Sequence, residues 1–122
     1  FVQINFVGLE QLAQFYGQAS VTDFLMDAAD FFRDSVRRLD IVGRMGETGF
    51  GIILPASGDK VALVRQRIVY KIGEWMGSRY TQKSPLRAEI GYASYPEGAR
   101  SAKDLFAAAS PKPLEDPFER AA

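Results

Sequence analysis

The chain has 122 residues, enough for one domain that holds its core without disulfides or metal. Lys and Arg together number 15, as do Asp and Glu, so the net charge is zero and a general DNA or RNA binder, which must neutralise many phosphates, is not expected. The sequence contains neither Cys nor His, which excludes thiolate nucleophiles, His acid–base catalysis and zinc sites built from those ligands.

The ends of the chain suggest a segment of a longer protein. It begins at Phe1 within an expected strand, without an initiator Met or a signal-peptide pattern. No apolar run approaches the ~20 residues of a membrane span. We therefore expect a cytoplasmic domain without direct membrane insertion, whose parent carries any membrane anchor or output module elsewhere.

Hydrophobic periodicity predicts an alternation of strands and helices. Alternating apolar side chains indicate strands, whereas apolar residues that recur every three or four positions indicate helices. In chain order we expect a strand over 1–7, helices over 9–16 and about 21–38, a hairpin of strands 40–45 and 50–54, a helix over 57–76, a strand over 86–93 and a helix over 102–109.

This order, β-α-α-β-β-α-β-α, predicts a mixed central β-sheet flanked by helices, in the α+β class. The hairpin that follows the first helical crossover gives it a ferredoxin-like character. The domain is expected over residues 1–109, and residues 110–122, which contain three prolines, are expected to form an extended tail.

Further expectations concern individual side chains. Ser20 or Thr22 is expected to cap the second helix, since hydroxyl side chains accept from free helical N–H groups. Trp75 lies on an apolar helix stripe and is expected in the core. Tyr92 and Tyr95 are expected to pack rather than to present stacking surfaces.

Three segments resemble the motifs of GGDEF domains, the diguanylate cyclases. The hairpin over Arg44–Pro55 resembles the family's signature hairpin, Glu89–Pro96 resembles its late strand, and Tyr16–Gly17 stands where the family has a Tyr-Gly-His element. Order and spacing match over about Phe1 to Ala109. The resemblance implies a nucleotidyl-cyclase-like fold, in which active members join two GTP molecules across a dimer into cyclic di-GMP by two-metal chemistry.

The sequence departs from the family where that reaction needs acids. In the signature turn, Glu47 replaces the second Gly, and Thr48 and Gly49 stand at the two acidic positions. A lone carboxylate one position out of register cannot assemble two Mg²⁺ ions. Asn5 stands where the family has its first-strand metal-binding Asp. Ala13 and Thr22 replace the Asn that reads guanine and its partner Asp, and residues 107–109 contain no Lys where the family's last helix has one. We therefore expect no catalytic residues, no bound Mg²⁺ and no cyclase activity.

The family's inhibitory site is nevertheless present. Arg-x-x-Asp five residues before the signature turn is found here as Arg37-Arg38-Leu39-Asp40. The resemblance implies a cyclic di-GMP site, in which Arg37 offers a planar fork to a phosphate or to guanine and Asp40 accepts from guanine N1–H and the exocyclic amine. Arg67, with Arg65 behind it, is the expected second arginine, and Arg38 is expected to stack on a base or pair with a phosphate.

The alternative is that Arg37 and Asp40 form a surface ion pair at the negative end of a helix. Three functional hypotheses follow. The first is an inactive GGDEF domain that binds cyclic di-GMP and relays its level to another domain of the same chain or to a partner effector. The second is a structural dimerisation or docking domain with an empty inhibitory site. The third is an enzyme or a GTP-binding regulator with unusual residues, against which Asn5, Thr48 and Gly49 argue.

Overall fold

The computed structural model describes residues 1–55, 60–79, 86–95 and 99–113. Within these ranges the chain forms four strands and four helices in the expected order, followed by one additional short strand. The elements are β1 (Val2–Val7), α1 (Leu9–Tyr16), α2 (Gln18–Ser35), β2 (Ile41–Met45), β3 (Gly49–Ile53), α3 (Val61–Arg79), β4 (Arg87–Tyr92), α4 (Ala102–Ala108) and β5 (Lys112–Pro113).

The strands form one sheet in the order β2-β3-β1-β4-β5, with β1 at its centre. Ile4 pairs with Phe50 on one side and with Ile90 on the other. The α+β class with a helix-flanked sheet is confirmed. All four pairings between described strands are antiparallel, so the parallel pairing that a mixed sheet requires is not found among them.

The core lies between one face of the sheet and helices α2 and α3. Val2, Ile4 and Phe6 alternate along β1 and are all buried. Phe6 lies 4.9 Å, centroid to centroid, from Phe24 of α2 in an edge-to-face arrangement. Trp75 of α3 is partly buried against this cluster and stacks on Phe31 at 4.8 Å. The expected core role of Trp75 is therefore confirmed.

Helix α4 lies against the opposite face of the sheet beside β1. Gln3, which alternates with the buried residues of β1, donates from Nε2 to the Phe106 carbonyl at 2.9 Å. The Phe1 ring meets the Phe106 ring edge-on at 5.1 Å. Helix α4 begins with a side-chain cap, because the Ser101 hydroxyl accepts from the Asp104 N–H at 3.1 Å.

Helix α2 differs from its predicted bounds at both ends. It begins at Gln18 after Gly17, without a side-chain cap, so the capping predicted for Ser20 or Thr22 is wrong. Both hydroxyls instead donate to the carbonyls four residues earlier. At the other end the helix stops at Ser35, three residues before Arg38, because Val36 is extended with φ −119° and ψ 170°.

Other expectations were met in part. Helix α3 continues to Arg79 rather than ending near residue 76, and its predicted beginning at residue 57 falls outside the described residues. Tyr92 and Tyr95 are exposed, so the expectation that they pack is wrong.

Residues 112–113 join the sheet through β4, so the sheet extends into the segment that follows residue 109; residues 114–122 lie outside the described ranges. No helix within those ranges is long and apolar enough to cross a membrane.

Candidate functional site

Residues Arg37–Asp40, which follow α2 after Val36, form a turn whose two ends are joined by two hydrogen bonds. The Asp40 N–H donates to the Arg37 carbonyl at 3.0 Å. In the reverse direction, the Arg37 N–H donates to Asp40 Oδ2 at 2.7 Å. An Asp side chain that captures a nearby backbone N–H competes with helix formation. This competition explains why α2 ends before Arg37 although apolar periodicity continues to Val36.

The guanidinium of Arg37 connects this turn to the end of β3. Its Nη2 donates to Asp40 Oδ1 at 2.9 Å, and its Nε lies 3.3 Å from each carboxylate oxygen. The same Nη2 donates to the Pro55 carbonyl at 3.0 Å, across 18 residues of sequence. Two separate parts of the chain therefore fix the plane of the guanidinium.

The two members of the pair differ in accessibility. The Arg37 side chain is 52% exposed, whereas the Asp40 side chain is 1% exposed. Hydrogen bonding to Asp40, assisted by its charge, raises the pKa of Arg37 above its usual value. The guanidinium thus presents a permanent positive charge to solvent, and the carboxylate lies beneath it.

The other two predicted ligand residues, Arg38 and Arg67, lie on different elements. Arg38 stands with Leu39 at the corner of the Arg37–Asp40 turn, and both are exposed. Arg67 lies on α3 and is exposed, with Arg65 half-buried on the same helix. The structure brings Arg37, Arg38 and Asp40 together in one turn, and the participation of Arg67 stays a prediction.

At the hairpin turn, two neutral side chains meet where the resemblance places metal-binding acids. The Thr48 hydroxyl donates to Asn5 Oδ1 at 2.6 Å, and the Thr48 carbonyl accepts from the Phe6 N–H at 2.9 Å. The turn is therefore attached to the end of β1 by uncharged hydrogen bonds. A Thr hydroxyl and an Asn amide supply oxygen ligands but no negative charge to hold Mg²⁺.

Gly49, at the second acidic position of the family, lies against backbone. A Cβ atom added there would stand 2.9 Å from the carbonyl oxygens of both Ile4 and Met45. Real Cβ atoms almost never approach that closely, so any side chain at this position requires the strands to shift. Gly46 has φ +63°, a left-handed conformation that favours glycine, and it opens the turn.

Glu47 is exposed at the tip of the turn, where Arg44 Nη2 donates to its backbone carbonyl at 2.9 Å. The Arg44 guanidinium lies 5.3 Å above the Phe50 ring. These contacts give Arg44 a role in holding the hairpin. Among the described residues, no group of three or more Asp or Glu side chains is placed to hold a metal ion.

The other positions at which the family has nucleotide-reading residues carry small or inward-facing groups. Ala13 packs against the core, and the Thr22 hydroxyl donates to the Gln18 carbonyl. Residues 107–109 supply only methyl side chains, of which Ala109 is buried. These positions offer no charged group to a nucleotide.

One feature that sequence reasoning missed is an apolar surface beside the turn. Ile41 of β2 and Ile53 of β3 are directly opposed and are 57% and 50% exposed, and Leu39 is 77% exposed. These three residues are called the edge patch below. Ile53 follows the buried Ile52 along β3, so Ile53 and its partner Ile41 lie on the face of the sheet opposite the core, which local composition does not reveal.

Comparison with known families decides the assignment. The family model described as "Diguanylate cyclase, GGDEF domain" matches residues 1–112. The chain belongs to the GGDEF family. No protein with a curated functional description matches it.

Solved GGDEF structures have a similar fold. A truncated form of TpbB (also called YfiN) from Pseudomonas aeruginosa, comprising only the GGDEF domain, matches with a TM-score of 0.71 and 25% identity, covering 88% of this chain and 64% of that one. A second crystal structure of the GGDEF domain of that protein matches with a TM-score of 0.65 and 26% identity, covering 88% and 65%. An EAL/GGDEF domain protein from M. capsulatus matches with a TM-score of 0.69 and 22% identity, covering 87% and 69%. The chain thus spans about two thirds of the length of these GGDEF structures.

Proposed function

We propose that this GGDEF domain is a catalytically inactive receptor for cyclic di-GMP, whose ligand site is built on the Arg37–Asp40 turn with Arg38 and Arg67 as additional contacts. The single observation that carries the proposal is the half-exposed Arg37 guanidinium, fixed by the Asp40 carboxylate and the Pro55 carbonyl. A fixed guanidinium fork suits the phosphate oxygens and the guanine acceptors of such a ligand.

The hairpin supports the absence of cyclase activity. GTP condensation by two metal ions needs carboxylates that hold both cations. Here the Thr48 hydroxyl is bonded to the Asn5 side-chain oxygen, and the close backbone contacts of Gly49 leave no room for a side chain. Ligand binding at Arg37 needs none of those acids, so we expect it to proceed without Mg²⁺.

Within this proposal, the domain acts in the cytoplasm and transmits ligand occupancy to another domain of its parent chain or to a partner effector. With 15 positive and 15 negative side chains, it has no general affinity for DNA or RNA.

Calorimetric titration with cyclic di-GMP in the presence of EDTA tests the receptor role. We expect saturable binding by the wild type, a loss of affinity of roughly tenfold or more in Arg37→Ala because a charge-assisted bond is removed, and a smaller loss in Arg67→Ala. Arg33→Ala is the matched control, because Arg33 is also an exposed arginine near the end of α2. Wild-type protein that binds nothing at high micromolar ligand contradicts the receptor role.

Incubation with GTP and Mg²⁺ or Mn²⁺, followed by chromatography, tests the absence of cyclase activity. We expect no cyclic di-GMP above a control without protein. Sustained turnover that disappears in a variant of Thr48 contradicts this part of the proposal and favours the enzyme hypothesis.

One observation favours the alternative, a ligand-free dimerisation domain. The edge patch includes Ile41 of β2, an edge strand whose outward backbone groups can pair with a second copy of the same strand. Sedimentation velocity of Ile41→Lys/Ile53→Lys against the wild type separates the two candidates, with Leu63→Lys on α3 as an exposed apolar control. A wild-type dimer that only the double variant dissociates, without any ligand binding, favours the alternative.

A further inference from the structure

Helix α3 presents one narrow stripe of residues to solvent. Its exposed residues over 61–77 recur every three or four positions, which places them along one side of the helix. These residues, called the α3 stripe below, are Leu63, Gln66, Arg67, Tyr70, Gly73, Glu74 and Gly77. The two large side chains, Leu63 and Tyr70, are each 67% exposed and stand seven residues apart. A seven-residue repeat is typical of a helix face that packs against another helix.

The two glycines of the α3 stripe are not explained by contacts within the described part of the chain. A Cβ added at Gly73 or at Gly77 would meet no atom within 4 Å, and neither residue has the left-handed φ that favours glycine. Glycine is the least favourable residue in a helix interior after proline. What the two glycines do provide is a pair of shallow gaps, into which side chains of a second helix can fit.

The α3 stripe carries one positive and one negative side chain, Arg67 and Glu74. A hydrogen bond from the Tyr70 hydroxyl to Glu74, together with the charge of Glu74, raises the pKa of Tyr70. An ionised carboxylate has about four acceptor sites, so Glu74 keeps acceptors for an arginine as well. Two copies of the stripe that run antiparallel bring opposite charges together, whereas parallel copies oppose like charges.

We propose that the α3 stripe is a contact surface for a second copy of this chain, which packs on it in the antiparallel direction. Each pairing joins the first half of one stripe to the second half of the other: Leu63 with the partner's Gly77, Arg67 with the partner's Glu74, and Tyr70 with the partner's Gly73. The centres of the three pairings differ by less than two residues, or under about 3 Å along the helix. One two-fold axis therefore places large side chains at glycine gaps and pairs opposite charges. Such a contact is closed, because both copies use the same surface.

This contact goes beyond the receptor role and does not depend on it. A seam on a single helix is smaller than the interfaces of stable dimers, so we expect a monomer–dimer equilibrium that responds to protein concentration. Because Arg67 is also an expected ligand contact, the equilibrium is measured without cyclic di-GMP. The edge patch would form a different dimer, which the same measurement distinguishes.

Sedimentation velocity over a series of protein concentrations tests the contact. We expect the wild type to dimerise by high micromolar concentration. Leu63→Lys should raise the dimer dissociation constant roughly tenfold or more, because it buries a charge without a partner, whereas Ile41→Lys/Ile53→Lys should leave the constant unchanged. Gly73→Leu should act like Leu63→Lys, because it fills the gap, and Ala107→Leu on an exposed position of α4 is the control for added bulk. A wild type that stays monomeric, or a dimer that only the edge-patch variant dissociates, overturns the proposal.

Charge reversal tests the antiparallel direction. Arg67→Glu and Glu74→Arg, made singly, should each raise the dissociation constant roughly fivefold or more, because two symmetric ion pairs become repulsive. The double variant Arg67→Glu/Glu74→Arg restores opposite charges and should return the constant to within about twofold of the wild type. All three variants are at exposed positions, and circular dichroism checks that each is folded. A double variant that dimerises no more tightly than the single variants overturns the antiparallel contact.

Discussion

Substitution of Gly49 by Ala should destabilise the domain through backbone crowding. The added Cβ would lie 2.9 Å from the carbonyl oxygens of Ile4 and Met45, whereas close C···O contacts in proteins begin at roughly 3.3 Å. Both neighbours are backbone atoms of paired strands, so relief requires β1 or β2 to move by several tenths of an ångström. Overpacking of this kind costs about 1–3 kcal/mol.

Gly43→Ala is the matched control, because a Cβ at that strand position meets no atom within 4 Å. Both substitutions remove a flexible glycine from the unfolded chain, an effect worth about 0.4–1 kcal/mol that cancels between them. Urea unfolding followed by the fluorescence of Trp75, the single tryptophan, should therefore find Gly49→Ala less stable than Gly43→Ala by about 1–3 kcal/mol. Equal stability of the two variants would refute the crowding and reopen position 49 to a metal-binding acid.

Three further changes have defined outcomes. Phe32→Ala removes a ring that is fully buried between Phe6 and Phe50 and should lower the free energy of unfolding by about 3–5 kcal/mol in urea; a loss below 1 kcal/mol would mean, on that scale, that the ring is not in the core. Thr48→Val removes the donor to Asn5 Oδ1 and should lower the free energy of unfolding by about 1 kcal/mol, so an unchanged urea midpoint argues against that bond. Glu47→Gln, at the exposed tip of the turn, should change stability by less than about 0.5 kcal/mol and leave cyclic di-GMP affinity unchanged in calorimetry; a large loss of affinity would place the ligand at the turn instead.

Local pattern predicted much of the fold. The strands and helices follow from apolar periodicity, which depends on a few neighbouring residues, and α1 was predicted to the residue. The end of α2 was missed because Val36 continues the apolar stripe, while the Asp40 carboxylate captures the N–H that another helical turn would need. A competition between a side chain and the backbone is not visible in hydrophobic spacing.

Part of the candidate site could likewise be predicted from local sequence, and part of it could not. Arg37 and Asp40 were identified by their spacing from the signature turn, a local feature of the sequence. The bond from Arg37 to the Pro55 carbonyl could not be predicted, because it depends on how β3 ends relative to the α2–β2 turn. The exposure of Ile41 and Ile53 likewise depends on tertiary packing, because both lie on the face of the sheet opposite the core.

The most direct test of the receptor role is a map of where cyclic di-GMP binds. Backbone and arginine side-chain ¹⁵N NMR spectra of the wild-type domain would be recorded during titration with the ligand in EDTA. The account predicts that the largest shifts fall on residues 36–41 and on the Nε–H of Arg37, with residues 46–49 and Asn5 nearly unchanged. Shifts centred on the hairpin turn and Asn5, or no shifts at saturating ligand, would contradict it.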